Sequence, residues 1–594
     1  MKRAEIAEQS KWDLTHVFKS LDDWTSLYNE VKEDLKIFDS FKGKLGDIEK
    51  LRECLKLKYE LNANTDLLLL YAYLQADEDT RISENQALFA KVAQLEAESN
   101  SAVSFMQPEL LKIGDKLLDF ANEDGLQIYK NYFHNILRGK KHLLSHKEEK
   151  LLATLGELEW SYPTLHKIIT NAEITFEDVL DSKGNKHKLT YGTYIKYRES
   201  EDRVLRKNAV YNFLNKFVER KDSLAQNFIE FAKKEKIYAK VRNYNSSIEA
   251  KLDVDNIPVE IYHNLIDVVF DNLAPMHKFT EICKTKLGID KLYSYDLDVP
   301  LIKDVDITIT YEEASKKVLA ALKPLGQEYY AAVEDGLKNR WVDVYENEGK
   351  RSGAYSFAVQ GAHPYILMNF SNSIYDMFTL AHEFGHAIHS HLSNKYQPNI
   401  SSGFTIFTTE VAATLNELLL HEHLMKTTTD PKQRIYLLCK RIDNFRGTLF
   451  RQTTFAAFER KAHELIKEGK ANLDTLSQAF LELIKKEAGP LVNFPENAEY
   501  AWVRIPHFYT SFYVYQYATS FCASIAIYDM IKKEGQPAVD KYINMLKSGK
   551  SNYSVDLLKD CGVDLTTKEP IEAAMRNFAE LVEQLEVELK GLEG

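Results

Sequence analysis

The sequence predicts a mostly helical protein, on three observations. Glycine and proline are scarce, 24 and 14 of 594 residues, too few turns for a sandwich or barrel. Apolar residues recur every three or four positions over most of the chain. Strand-like runs are confined to short stretches. At several times the usual domain length, the chain should build more than one lobe.

From Trp12 to about Ile113, segments such as "TSLYNEVKEDLKIFDSF" alternate apolar and charged residues with a helical period, as expected for helices with one solvated face. A second helical stretch runs from about Asp115 through "KEEKLLATLGELEWSY". The pattern changes at Ala172–Tyr194, where β-prone runs flank "DSKGNKH", a turn signal carrying Gly184, so a hairpin is expected. Helical periodicity then resumes. No Pro/Gly-rich linker divides the chain; the expected organisation is an N-terminal helical domain over 1–200 and a second domain over 201–594. Further on, "GAYSFAV" (Gly353–Val359) and "PYILMNF" (Pro364–Phe370) read as two strands of a small sheet. "PYILMNF" could be an edge to which an extended peptide adds as a strand, or an internal core strand. The tail from "FTTEVAATLNELLLHEHLM" onward is again helical.

A net charge of −12 argues against a general nucleic-acid binder. Five cysteines, odd in number and far apart, read as free thiols in a reducing compartment. The start lacks the apolar core of a signal peptide, and the strongest apolar run, "LLLLYAYL" (Leu67–Leu74), is too short to span a bilayer. A cytoplasmic protein without a membrane partner is expected.

The chemistry concentrates in "FTLAHEFGHAIHSHLS", Phe378–Ser393, which contains His382-Glu383-Phe384-Gly385-His386. On a helix, residues four apart lie about 40° apart in projection and one turn up, so His382 and His386 can reach one ion. Glu383 projects about 100° from His382, beside the ion, where a base for an activated water belongs. Asn372 or Ser373 can cap this helix, with Ile374, Met377, Phe378 and Ala381 on its apolar face. Gly385, costing about 1 kcal/mol against alanine in a helix, implies a close backbone or substrate approach. His389 shares the face of His386 but sits two turns from His382, so it and His391 read as polar neighbours. Two histidines, one glutamate and a water form an established catalytic zinc set. Glu410, 28 residues after His382, is the candidate third ligand, though any glutamate on a crossing helix would satisfy the same geometry. Thr414, Glu417 and His421 share its face, as ligand-orienting groups or as a buried polar network.

"HEFGHAIHS" followed by "FTTEVAATLNE" resembles the thimet-type oligopeptidases, and within them the oligoendopeptidase F branch. "KWDLTHVFKSLDDW", "KRSGAYS", "HPYILMNF" and "WVRIPHFYTSFYVYQYATSFCASIAIYDM" occur in that branch's order and spacing, from residue 12 to about 530. The resemblance implies one zinc ion held by His382, His386 and Glu410, with Glu383 as base. It implies an elongated multi-helix ellipsoid with a deep central channel, a gluzincin-like core with a small sheet beside the zinc-binding helix, and short oligopeptides as substrates. It also implies oxyanion donors in "IPHFYTSFYVYQY": His507, and a tyrosine for which Tyr515 is the first match and Tyr509 and Tyr513 follow. Phe512 falls where the thimet branch has a tyrosine. The function expected is zinc endopeptidase. The alternatives are a zinc carboxypeptidase on the same scaffold and a non-catalytic helical peptide-binding protein, which would have no use for Glu383.

Overall fold

The computed structural model describes residues 1–302, 305 and 307–593. Helices dominate, with two- and three-stranded sheets between them. The chain divides into two compact units, each assembled from three segments. The first comprises Met1–Lys141, Asp306–His423 and Ile527–Val563; the second comprises His142–Val305, Leu424–Ala526 and Asp564–Gly594. Among the described residues no helix is long and apolar enough to cross a membrane. All five cysteines are free, and only Cys439 is not fully buried.

In the first unit, α1 (Ile48–Glu78) and α2 (Ser83–Val103) pack side by side. Their apolar stripes meet the N-terminal helices in a core that includes Trp24, Phe38, Leu51, Leu68 and Phe133. The small sheet has strands β1 (Val342–Asp343), β2 (Tyr355–Phe357) and β3 (Tyr365–Leu367) in the order β1-β3-β2. β3 pairs parallel with β1 and antiparallel with β2. Its side chains are fully buried, with Tyr365 and Leu367 against Trp12, Leu70 and Leu74. This corrects the edge reading of "PYILMNF": it is the central strand, neighboured on both sides, and β2 lies at the edge.

Helix α3 (Ile374–Tyr396) follows the sheet. Ser373 caps it: the Ser373 hydroxyl accepts from the Asp376 N–H at 3.2 Å, and Asp376 accepts from the Ser373 N–H at 3.1 Å, closing a capping box. Asn372 takes a left-handed conformation (φ +65°) and turns the chain into the helix. The helix stops at Tyr396, where Gln397 precedes a proline and stays extended. Ile374, Met377, Ala381, Phe384 and Ile388 bury its apolar face. Helix α4 (Ile406–Thr427) crosses it.

In the second unit, α5 (Arg451–Lys467) and α6 (Leu473–Ala488) pack together over an aromatic core of Phe228, Phe458, Phe480, Trp502 and Phe508. Val179–Leu180 and Lys186–His187 form the hairpin around Gly184. Helix α7 (Tyr515–Glu534) begins in this unit, which contains its residues to Ala526.

Candidate metal centre

Gly385 is the point of closest approach between α3 and α4. A Cβ there would stand 2.4 Å from the Ala413 Cα and 2.6 Å from the Ala413 N, well inside van der Waals contact. Only a glycine lets the two backbones come this near. Glu410 and Glu417 lie three residues before and four after Ala413, on the same face of α4. His382 and His386 lie three before and one after Gly385. The crossing therefore sets two carboxylates against two imidazoles. Asn416 fixes it further, donating to the Ala381 carbonyl at 3.0 Å and accepting from the Tyr329 hydroxyl at 2.9 Å.

The Nε2 atoms of His382 and His386 are 3.1 Å apart. Glu410 Oε2 lies 3.7 Å from the first and its Oε1 4.0 Å from the second. Ligand atoms about 2.0–2.1 Å from a tetrahedral zinc stand roughly 3.3 Å from one another, so these separations fit one ion. Among the described residues this trio is the one group of three or more His, Cys, Asp or Glu side chains whose ligand atoms converge in this way. The side chains keep 27%, 15% and 22% of their surface exposed, which leaves the mouth open for a fourth ligand.

Electrostatics favour a cation here. Burial pulls the His382 imidazole down, but the Glu417 hydrogen bond and charge, with Glu383 and Glu410, more than reverse this and hold it up at about 9. Burial, with Glu417 nearby, pushes the Glu410 carboxyl up. Three carboxylates crowded round two imidazoles are a negative site short of a positive charge. His382 Nδ1–H donates to Glu417 Oε1 at 2.6 Å, fixing the tautomer that turns Nε2 towards Glu410. Of the three polar residues on the Glu410 face, Glu417 thus has the orienting geometry.

Glu383 is 6% exposed, and burial pushes its carboxyl up to about 7. It accepts a hydrogen bond from the backbone N–H of Ser356 on edge strand β2, and its Oε2 has no hydrogen-bond partner. His389 is buried, stacked on Phe404 with ring centroids 3.9 Å apart, and His391 lies against Trp341. Both are packing residues.

The remaining expected site residues belong to the second unit. His507 is exposed. Tyr509 is tied into the core, its hydroxyl accepting from Asn227 Nδ2 at 2.9 Å and its ring against His166 and Phe231. Tyr515 is 1% exposed and packs on Tyr262, because the first turn of α7 rotates it inward. Tyr513 and Tyr517 are half-buried and share a hydrogen bond at 3.0 Å. Tyr509, Tyr513 and Tyr517 are thus each more accessible than Tyr515. The loop bearing them is pinned by Glu459, whose buried carboxyl accepts from the Phe512 N–H at 2.7 Å while Phe512 holds φ +56°. Neither Glu459 nor the Ser356 contact had a local signal in the sequence; both join residues distant along the chain.

The model of peptidase family M3 matches residues 196–577, and a second, described as oligopeptidase F, matches 109–176. Oligopeptidase PepF of Bacillus subtilis is 41% identical over 588 residues, covering 98% of this chain and 88% of that protein. An oligoendopeptidase F homolog of Borreliella burgdorferi is 37% identical, with 98% and 99% covered. The crystal structure of oligoendopeptidase-F from Enterococcus faecium superposes with a TM-score of 0.73 at 32% identity, covering 96% and 99%.

Proposed function

The chain belongs to peptidase family M3, and from that membership we propose a zinc-dependent endopeptidase that cleaves short oligopeptides, with the residues of the α3–α4 crossing as its centre. The observation that carries the assignment is the convergence of His382, His386 and Glu410 with Glu383 beside them. His382, His386 and Glu410 hold the ion, and Glu417 keeps the His382 ring in its ligating orientation. When bound, zinc polarises the scissile carbonyl and lowers the pKa of a water to near 7.

Glu383 does the proton work. Its carboxyl, shifted up to about 7, is matched to taking a proton from water and returning it to the leaving amine near neutral pH. The Ser356 N–H holds one end of the carboxyl, and Oε2 is free to move the proton. Hydrogen-bond donors for the developing oxyanion are assigned to His507 and to one of Tyr515, Tyr509 and Tyr513. The relatives carry oligopeptidase and endopeptidase names, which favours this reading over a carboxypeptidase or an inert binder. Five free cysteines support a reducing, cytoplasmic setting.

The test combines metal analysis with mass-spectrometric mapping of cleavage in a peptide mixture, for the wild type and Glu383→Gln. The expected wild type holds one zinc per chain and cuts internal bonds in a chelator-sensitive way. Glu383→Gln should keep the zinc and lose about 10²–10⁴-fold in kcat. Full cleavage by that variant, or by metal-free wild type, would defeat the mechanism.

A further inference from the structure

One buried carboxyl takes no part in the chemistry of the α3–α4 crossing. Glu459, on α5 of the second unit, is 1% exposed. Among the described residues it makes no ion pair, and its one hydrogen bond is accepted from the Phe512 N–H at 2.7 Å.

Phe512 needs such a hold. Its φ of +56° lies in the left-handed region, which a bulky side chain disfavours. Four of the other non-glycine residues with positive φ are asparagines, which tolerate it, and Phe512 is the one aromatic among them. Three positions on one face of α5 keep it there. Glu459 takes the N–H. His463, one turn on, packs its ring on the Phe512 ring with centroids 4.6 Å apart. Ala456, three residues before Glu459, accepts at its carbonyl from the Tyr262 hydroxyl at 2.7 Å. The Tyr262 ring in turn lies 5.7 Å from the Phe512 ring and 5.1 Å from that of Tyr515.

Phe512 is the corner between the 3₁₀ turn Pro506–Tyr509 and α7. Just past it, the Tyr513 carbonyl accepts from the Gln516 N–H at 3.2 Å and the Val514 carbonyl from the Tyr517 N–H at 3.3 Å. The chain thus winds into α7 directly after the corner, and the Phe512 dihedral fixes the heading of Tyr513 and Tyr515 together.

We propose that Glu459 is a positioning residue for peptide hydrolysis: by holding the Phe512 N–H in the left-handed corner, it aims the tyrosine beyond that corner, Tyr513 or Tyr515, that donates to the oxyanion. The proposal rests on the assignment of oxyanion donors to this segment. Glu459 acts through its reach and not through its charge. A misplacement of about 1 Å in a group of this kind costs about 10²-fold in rate.

Two conservative substitutions separate reach from charge. Glu459→Gln keeps the length and an acceptor oxygen; Glu459→Asp keeps the carboxyl but draws it back by one methylene, out of range of the Phe512 N–H. Steady-state kinetics on a fluorogenic oligopeptide are read on the zinc-loaded protein, with zinc content and hydrogen exchange of residues 510–514 measured on the same preparations. Glu459→Gln should stay within about twofold of the wild-type kcat, whereas Glu459→Asp should lose at least about tenfold in kcat with KM and zinc content unchanged. The Phe512 amide should exchange faster in Glu459→Asp alone. His507→Gln and the phenylalanine variants of Tyr509, Tyr513 and Tyr515 test the underlying assignment, since loss of an oxyanion donor costs about 10²–10³-fold in kcat. If none of these four loses activity, the donor assignment itself fails. Positioning by Glu459 is overturned separately if Tyr513→Phe or Tyr515→Phe loses kcat while Glu459→Asp keeps it, even with a lowered melting point, as a merely structural carboxyl would. A loss in Glu459→Gln equal to that in Glu459→Asp, or donor losses confined to His507 and Tyr509, which precede the corner, also overturns it.

Discussion

Alanine in place of Gly385 tests the helix crossing that builds the metal centre, because two physical effects predict opposite signs. Helix propensity alone favours the change: alanine gains about 1 kcal/mol over glycine in a helix interior. Gly385 is also not among the residues with positive φ, so no backbone strain opposes it. Packing forbids it. The new Cβ would meet the Ala413 Cα at 2.4 Å and the Ala412 carbonyl carbon at 2.7 Å, and both are backbone atoms that cannot rotate away. Ordinary contact begins at 3.4 Å. The helices must part by about 1 Å, and overpacking of this kind costs about 1–3 kcal/mol, which outweighs the propensity gain. A long chain shifts its melting point little per kcal/mol, so metal affinity is the sharper readout. Ligand positions must hold within about 0.2 Å, and a separation of about 1 Å carries Glu410 out of range of the two Nε2 atoms. Zinc affinity, read by competition with a chromogenic chelator, should fall at least tenfold, with cleavage falling alongside. A Gly385→Ala protein with unchanged zinc affinity and a raised melting point would refute the reasoning.

Glu417→Gln removes the charge that holds the His382 ring, and zinc affinity should fall about 10–100-fold by the same competition assay; wild-type affinity would exclude an orienting role. The pH dependence of folding carries a term from Glu459, whose carboxyl is held at about 8 by burial against about 4.3 in an unfolded chain. Its folded pKa is raised, so this stability is complete below about pH 4 and is lost as pH rises through 8. Denaturant melts of Glu459→Gln across pH 4–9 should show a shallower decline than the wild type, with its amide still reaching the Phe512 loop. An identical pH profile for the two proteins would show that Glu459 does not titrate in this way.

The local parts of this protein are determined by the sequence itself. The 3.6-residue period places His382, His386 and Glu383 round one side of a helix, and Ser373 with Asp376 sets where that helix begins. Family resemblance singled out Glu410, but spacing alone allowed any glutamate on a crossing helix. The tertiary structure decided the rest. The Gly385–Ala413 contact selects the register of α4 on α3, bringing Glu410 to the two imidazoles and giving Glu417 its place behind His382. Packing against α1 makes "PYILMNF" a central strand and leaves β2 as the edge that reaches Glu383. The first turn of α7 buries Tyr515 and leaves Tyr513 and Tyr517 more accessible. Each of these outcomes depends on which surfaces of distant segments meet, and short-range periodicity carries no information about that.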